Sequence, residues 1–297
     1  MTSPQTVPAR VGDATPPAAA PVPPAKAPMT GRASRTRYVV PGSGDSWRIS
    51  AVTVIVLLAA WWLVTRMGWI APLFLPTPGA TLDAFVAALQ GQTQGDVPLY
   101  EHVLVSMARV LGAFALAVIT GAPLGIAMGT SRTLRGIVDP LIEFYRPLPP
   151  LAYLPLIVIW LGIDESAKVT LIYLACLAPM AMAAKAGVRS VPLEQINAAY
   201  SMGATRWQVI RLVVLPAALP EVLTGMRIAI GFGWTTLVAA EMVAAASGLG
   251  QMVLNASNFL RTDVVIMGIV LIGLMACAFD MLMRWLERAM TPWKGRM

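Results

Sequence analysis

Long apolar runs alternating with short polar breaks fill the chain from Trp47 onward, and the break from Leu193 to Pro220 is set apart by its length and polarity. A helix that crosses the hydrocarbon layer needs about 20 mostly apolar residues. Six stretches meet that need, at Trp47–Met67, His102–Gly129, Ile137–Leu161, Ala167–Ala184, Val222–Ala245 and Thr262–Leu286. The pattern predicts an all-α, polytopic membrane domain over residues 47–290. Pro140 and the run from Arg146 to Pro150 interrupt the third stretch, so its first part is expected along the interface. Ala80–Leu89 reads as a short amphipathic surface helix, and Gly248–Leu260 as a surface loop with a partial helix. In the second stretch Gly121, Gly125 and Gly129 recur every fourth residue, a stripe on which a second helix backbone can approach closely. Pro123 beside them is expected to kink that helix.

The polar break has its own pattern. Leu193, Ile196, Asn197 and Tyr200 fall at helical spacing, and Gly203 stands where a left-handed residue would end that helix. Thr205 and Gln208 have capping-box spacing, with Trp207, Ile210 and Val214 as the apolar stripe of a second short helix. Pro216 and Pro220 are expected to stop it, since each lacks a backbone donor and crowds the preceding turn. Residues 190–220 thus read as helix, tight turn, helix, stop.

Composition agrees with a membrane domain, since 57% of residues are hydrophobic and only 12% charged. The net charge of +7 would suggest nucleic acid in a soluble protein, but the basic residues gather at span ends and in the N-terminal tail. Residues 1–46, with nine prolines and no apolar run fit for a signal sequence, read as a disordered tail. Residues 291–297 form a second short tail. Arg10, Lys26, Arg32, Arg132, Arg135, Lys185, Arg189, Arg206, Arg211, Arg284 and Arg288 all fall on one side of a six-span topology. By the positive-inside rule that side is cytoplasmic, and it holds both termini and the polar break. Cys176 and Cys277 lie inside apolar runs and read as small hydrophobes, with no metal pair implied.

Asn197-Ala198-Ala199, then Gly203, Ala204, Val213 and Leu215-Pro216 at their spacing, resemble the EAA loop of ABC importer permeases. Asn197 departs from the usual Glu, which puts charge pairing at that position in doubt. The likeness continues through LPAALPEVLTGMRIAIGFGWTTLVAAEM, GLGQMV, FLRTDVVIMGI and the terminal TPWKG, which look like the taurine branch of the taurine, sulfonate, nitrate and bicarbonate permeases. This resemblance implies a type I importer permease fold in the bacterial inner membrane. It also implies two permease copies, two ATPase subunits holding ATP and Mg, and a periplasmic binding protein. The coupling contact would then involve Asn197, Ala198, Ala199, Gly203, Ala204, Leu215 and Pro216. Taurine or a related sulfonate is the implied solute, with nitrate, bicarbonate or another small anion as the alternative.

A search for chemistry finds little. A P-loop requires Gly-Lys-Ser/Thr, whereas Lys26, Lys168, Lys185 and Lys294 follow Ala, Ala, Ala and Trp, so ATP is expected on another chain. No nucleophile and base constellation suggests an enzyme. An ion-driven secondary transporter would favour inverted repeats and midplane ionisable groups, whereas no internal repeat is evident and most of the intramembrane charges fall near span ends. Charges inside spans are costly and often functional. Arg227 and Asp280 are expected to pair or snorkel, and Glu143 and Arg146 to pair with each other. His102 is expected at the interface. Glu241, near the outer mouth, is the candidate for a gate, a pathway residue or a contact to the binding protein.

Overall fold

The computed structural model describes residues 47–92 and 97–292, and the expectations for residues 1–46 and 293–297 lie outside them. The chain divides into units Met1–Ser50 and Ala51–Met297, and the packing described below belongs to the second. All regular structure among the described residues is helical: α1 Trp47–Arg66, α2 Pro78–Leu89, α3 Leu99–Thr130, α4 Arg132–Tyr145, α5 Pro150–Leu161, α6 Glu165–Arg189, α7 Leu193–Ser201, α8 Arg206–Val209, α9 Leu215–Ala244, α10 Leu249–Asn258 and α11 Thr262–Met290. A π-helical turn, Ile210–Val214, joins α8 to α9.

Among the described residues five helical stretches are long and apolar enough to cross a membrane, and a sixth is obtained if the bent pair α4 and α5 counts as one span. That pair turns by 104° at residues 146–149, where two prolines end the backbone ladder as expected. The fifth span differs from expectation. Pro216 and Pro220 stop nothing, and helix runs without a loop from Arg206 to Val243 over 38 residues. The π turn supplies the reason. Leu215 N–H reaches back five residues to Ile210 C=O, and the widened turn makes room for the Pro216 ring in the first turn of α9.

The core is built by α3, α6 and α9. Val110, Ala113, Phe114 and Ala117 pack with Ile172, Cys176 and Met180 and with Ala229, Ile230, Trp234 and Leu237. Such close packing needs small residues where backbones cross. A Cβ on Gly125 would lie 2.2 Å from the Ala181 carbonyl oxygen, and one on Gly129 2.6 Å from Val188 Cβ. Gly121 faces Met180 with slightly more room, at 3.2 Å. The α6–α9 seam repeats the device, with Gly225 2.2 Å from Ala183 Cβ. Gly125→Val is therefore expected to push α3 and α6 apart at a cost of about 3 kcal/mol. Thermal unfolding in detergent measures this, and a wild-type melting temperature would contradict the close approach.

Tyr145, at the end of α4, enters the ladder of α6. Its hydroxyl donates to Leu174 C=O and accepts from Ala178 N–H at 3.0 Å, standing between two groups that would otherwise bond each other, just before Pro179. Lys185 Nζ reaches Asp139 at 2.6 Å and ties the same two helices. The segment after α9 also departs from expectation. The partial helix expected there is present as α10, but Leu249, Gly250, Met252 and Ala256 are buried and pack with Ala84, Ala88, Leu99, Val264 and Met267 rather than lying at the surface.

Candidate functional site

Two places concentrate polar structure, at opposite ends of the long helix from Arg206 to Ala244. At the first, α7 ends as its sequence predicts. Gly203 has φ +83°, Gly203 N–H bonds Tyr200 C=O at 2.9 Å, and Ala204 N–H bonds Ala199 C=O at 3.1 Å. This is a Schellman termination, which satisfies the last carbonyls through one left-handed residue. The capping box follows, with Gln208 Oε1 accepting from Thr205 N–H at 2.7 Å while Thr205 Oγ1 accepts from Gln208 N–H.

Ala199, Val209, Val214 and Ala218 anchor this elbow on Val188 and Val191 at the end of α6. Trp207 is exposed, against the expected stripe of Trp207, Ile210 and Val214. The π turn adds one residue per turn, so Val209 and Val214, five apart, share the inward face. What faces outward is a patch of Leu193, Tyr200, Met202 and Trp207, with Met202 83% exposed, beside exposed Asn197, Ala198 and Gly203. Nothing lies within 4 Å of a Cβ built on Gly203. Leu215 is half-buried and Pro216 exposed at the base of the elbow. A cavity of about 500 Å³ opens beneath, lined by Arg135, Arg189 and Arg206 among apolar groups. Arranged in this way, the elbow leaves small and apolar groups exposed.

The second place lies where α3 and α6 begin and α9 ends. Glu241 is 0% exposed and accepts from Arg109 Nη1 at 2.7 Å, Ser106 Oγ at 2.7 Å and Gly250 N–H at 2.9 Å. Arg109 donates onward to Ser247 C=O at 2.6 Å and, through Nε and Nη2, to both oxygens of Glu165 at 2.6 and 2.7 Å. Lys168 Nζ joins Glu165 at 2.7 Å. Ser106 Oγ also accepts from Leu249 N–H, and His102 Nδ1 from Gly248 N–H. The free N–H groups at the start of α10 are thus taken by side chains of α3 and α9, with a carboxylate at the positive end of the helix. A Cβ on Gly248 would lie 2.4 Å from Glu241 Oε1, so only glycine lets the backbone come this near.

Glu241 thus faces its partners inside the bundle, not an open mouth, in this conformation. His102, in the first turn of α3, is buried among protein groups. Arg109 was not singled out by its sequence, although His102, Ser106 and Arg109 stand at i, i+4 and i+7, a polar stripe on an apolar span. Asp280 bonds Arg227 at 2.6 Å and also Arg284, as pairing predicts. Glu143 and Arg146 form no ion pair with each other among the described residues, although Arg146 keeps helical geometry and its N–H bonds Ile142 C=O at 2.8 Å. Among the described residues no three His, Cys, Asp or Glu side chains converge on a possible metal position.

Residues 121–292 match the family described as binding-protein-dependent transport system inner membrane component. The chain is 52% identical over 247 residues to the taurine transport system permease protein TauC of Escherichia coli strain K12, covering 83% of this chain and 90% of that protein. Identity to the putative aliphatic sulfonates transport permease protein SsuC of the same strain is 35% over 238 residues, covering 80% of this chain and 88% of that protein. The bicarbonate transport system permease protein CmpB of Synechococcus elongatus is 28% identical over 271 residues, with 88% and 98% covered. Among solved structures, an inward facing conformation of the MetNI methionine ABC transporter gives a TM-score of 0.58 at 21% identity, covering 65% of this chain and 96% of that one. That last likeness is one of fold.

Proposed function

The chain belongs to the inner-membrane components of binding-protein-dependent transport systems, among the taurine, sulfonate, nitrate and bicarbonate permeases, and on that premise we propose that it is the permease of an ATP-driven importer of taurine or a related small sulfonate. The observation that carries the solute is the 52% identity, over nine-tenths of its length, to a taurine permease. Relatives whose names specify other anions share much less.

In this reading two copies form the pathway, two ATP-hydrolysing subunits bind the elbows from the cytoplasm, and a periplasmic binding protein delivers solute to the other face. ATP and Mg reside on the soluble subunits. The positive-inside rule supports this orientation, with both termini on the elbow side. The permease itself performs no covalent chemistry. Closure of the ATPase pair displaces the elbow around Gly203, and the helix from Arg206 to Ala244 carries that displacement across the membrane without an intervening loop.

The test is uptake of labelled taurine by proteoliposomes holding the permease, its ATPase and its binding protein. Accumulation is expected only when all three and ATP are present. Uptake by the permease alone, driven by an ion gradient, would overturn the reading.

A further inference from the structure

The network around Arg109 is asymmetric in its exposure. Arg109 and Lys168 are cations whose side chains are 4% and 5% exposed, yet Glu165, the carboxylate that covers both, is 59% exposed. On its other side Arg109 is held by Glu241 and by Ser247 C=O, so its guanidinium keeps its position whatever becomes of Glu165.

We propose that Arg109 and Lys168 form a binding site for the sulfonate group of the transported solute, in which Glu165 is a resident stand-in that the solute displaces. This rests on the sulfonate importer reading above. Three donors converge here, Arg109 Nε, Arg109 Nη2 and Lys168 Nζ. The carboxylate meets them with two oxygens, so Glu165 Oε1 must accept from both Nη2 and Nζ, at 2.7 Å each. A sulfonate brings three oxygens, one for each donor.

Charge balance points the same way. Arg109 and Lys168 against Glu165 and Glu241 sum to zero, and a sulfonate in place of Glu165 leaves the buried part neutral. Departure of Glu165 with no replacement would leave one buried positive charge uncompensated, so the site exchanges one anion for another rather than opening empty. The exposed carboxylate that is released loses little on entering water. It also remains within reach of the solute, where it can pair with the ammonium of an aminosulfonate. Glu165 therefore selects taurine over a plain alkanesulfonate, because only taurine returns a cation to it.

The experiment is equilibrium binding of labelled taurine and labelled ethanesulfonate to the assembled permease–ATPase complex without binding protein. In Glu165→Gln the competing carboxylate is gone, so ethanesulfonate should bind about tenfold tighter while the preference for taurine disappears. In Lys168→Gln both ligands should weaken together, by about tenfold. Unchanged affinities and unchanged preference in either variant, with normal assembly, would overturn the site. Taurine uptake by the wild-type complex with its binding protein is the separate control. Its failure would indict the sulfonate reading itself, whereas normal uptake with indifferent variants would indict only this site.

Discussion

Gly203→Asp is expected to insert and fold near normally and yet reduce ATP-dependent uptake to background. The left-handed backbone at φ +83° makes any side chain there cost about 1–2 kcal/mol, and aspartate is among the residues that bear it best. Beyond its chain neighbours no atom lies within 4 Å of the new Cβ, so the carboxylate projects into open space rather than into the permease. The damage should fall on the contact with the ATPase. Hydrolysis by the assembled complex is expected to lose its response to loaded binding protein, while Gly203→Asn, a neutral shape match, should retain more of it. Wild-type uptake by a well-expressed Gly203→Asp permease would remove the elbow from the coupling path.

Glu241→Leu should be the most destabilising single change. It leaves Arg109 without one of its two counter-charges and leaves Gly250 N–H without its acceptor, all inside the bundle. Breaking one side of a buried ion pair costs about 3–5 kcal/mol. For a domain of this size that corresponds to a melting temperature lower by roughly 10 °C. Glu241→Gln, which keeps an acceptor of the same shape, should lose less. If Glu241→Leu melts with the wild type, the carboxylate does not fix α10.

The span pattern was legible because hydrocarbon imposes one rule on every crossing, and the elbow was legible because Gly203, Thr205 and Gln208 act locally. Helix ends read this way are set by residues three or four apart, which a linear pattern contains. The π turn was not legible, since no residue type demands it. It follows from the way Val209 and Val214 both find the core while Pro216 needs room, and so the proline stop and the Trp207 stripe were misjudged together. The Arg109 network was hidden for a different reason. Its members come from positions 102 to 250, and only packing of α3, α6, α9 and α10 brings Glu165 and Glu241 onto one guanidinium. Its local trace, the polar stripe on α3, was present but is easily lost among apolar neighbours.

The elbow at Gly203 and the carboxylate of Glu241 lie at opposite ends of one unbroken helical rod, some 57 Å long at about 1.5 Å per residue. Two ligands that each bias the tilt of such a rod trade free energy with each other symmetrically. If, as proposed, a soluble motor grips the elbow and solute binds at the far end, then whatever factor the motor contributes to release, bound solute must return to the motor's grip, with no messenger but the rod.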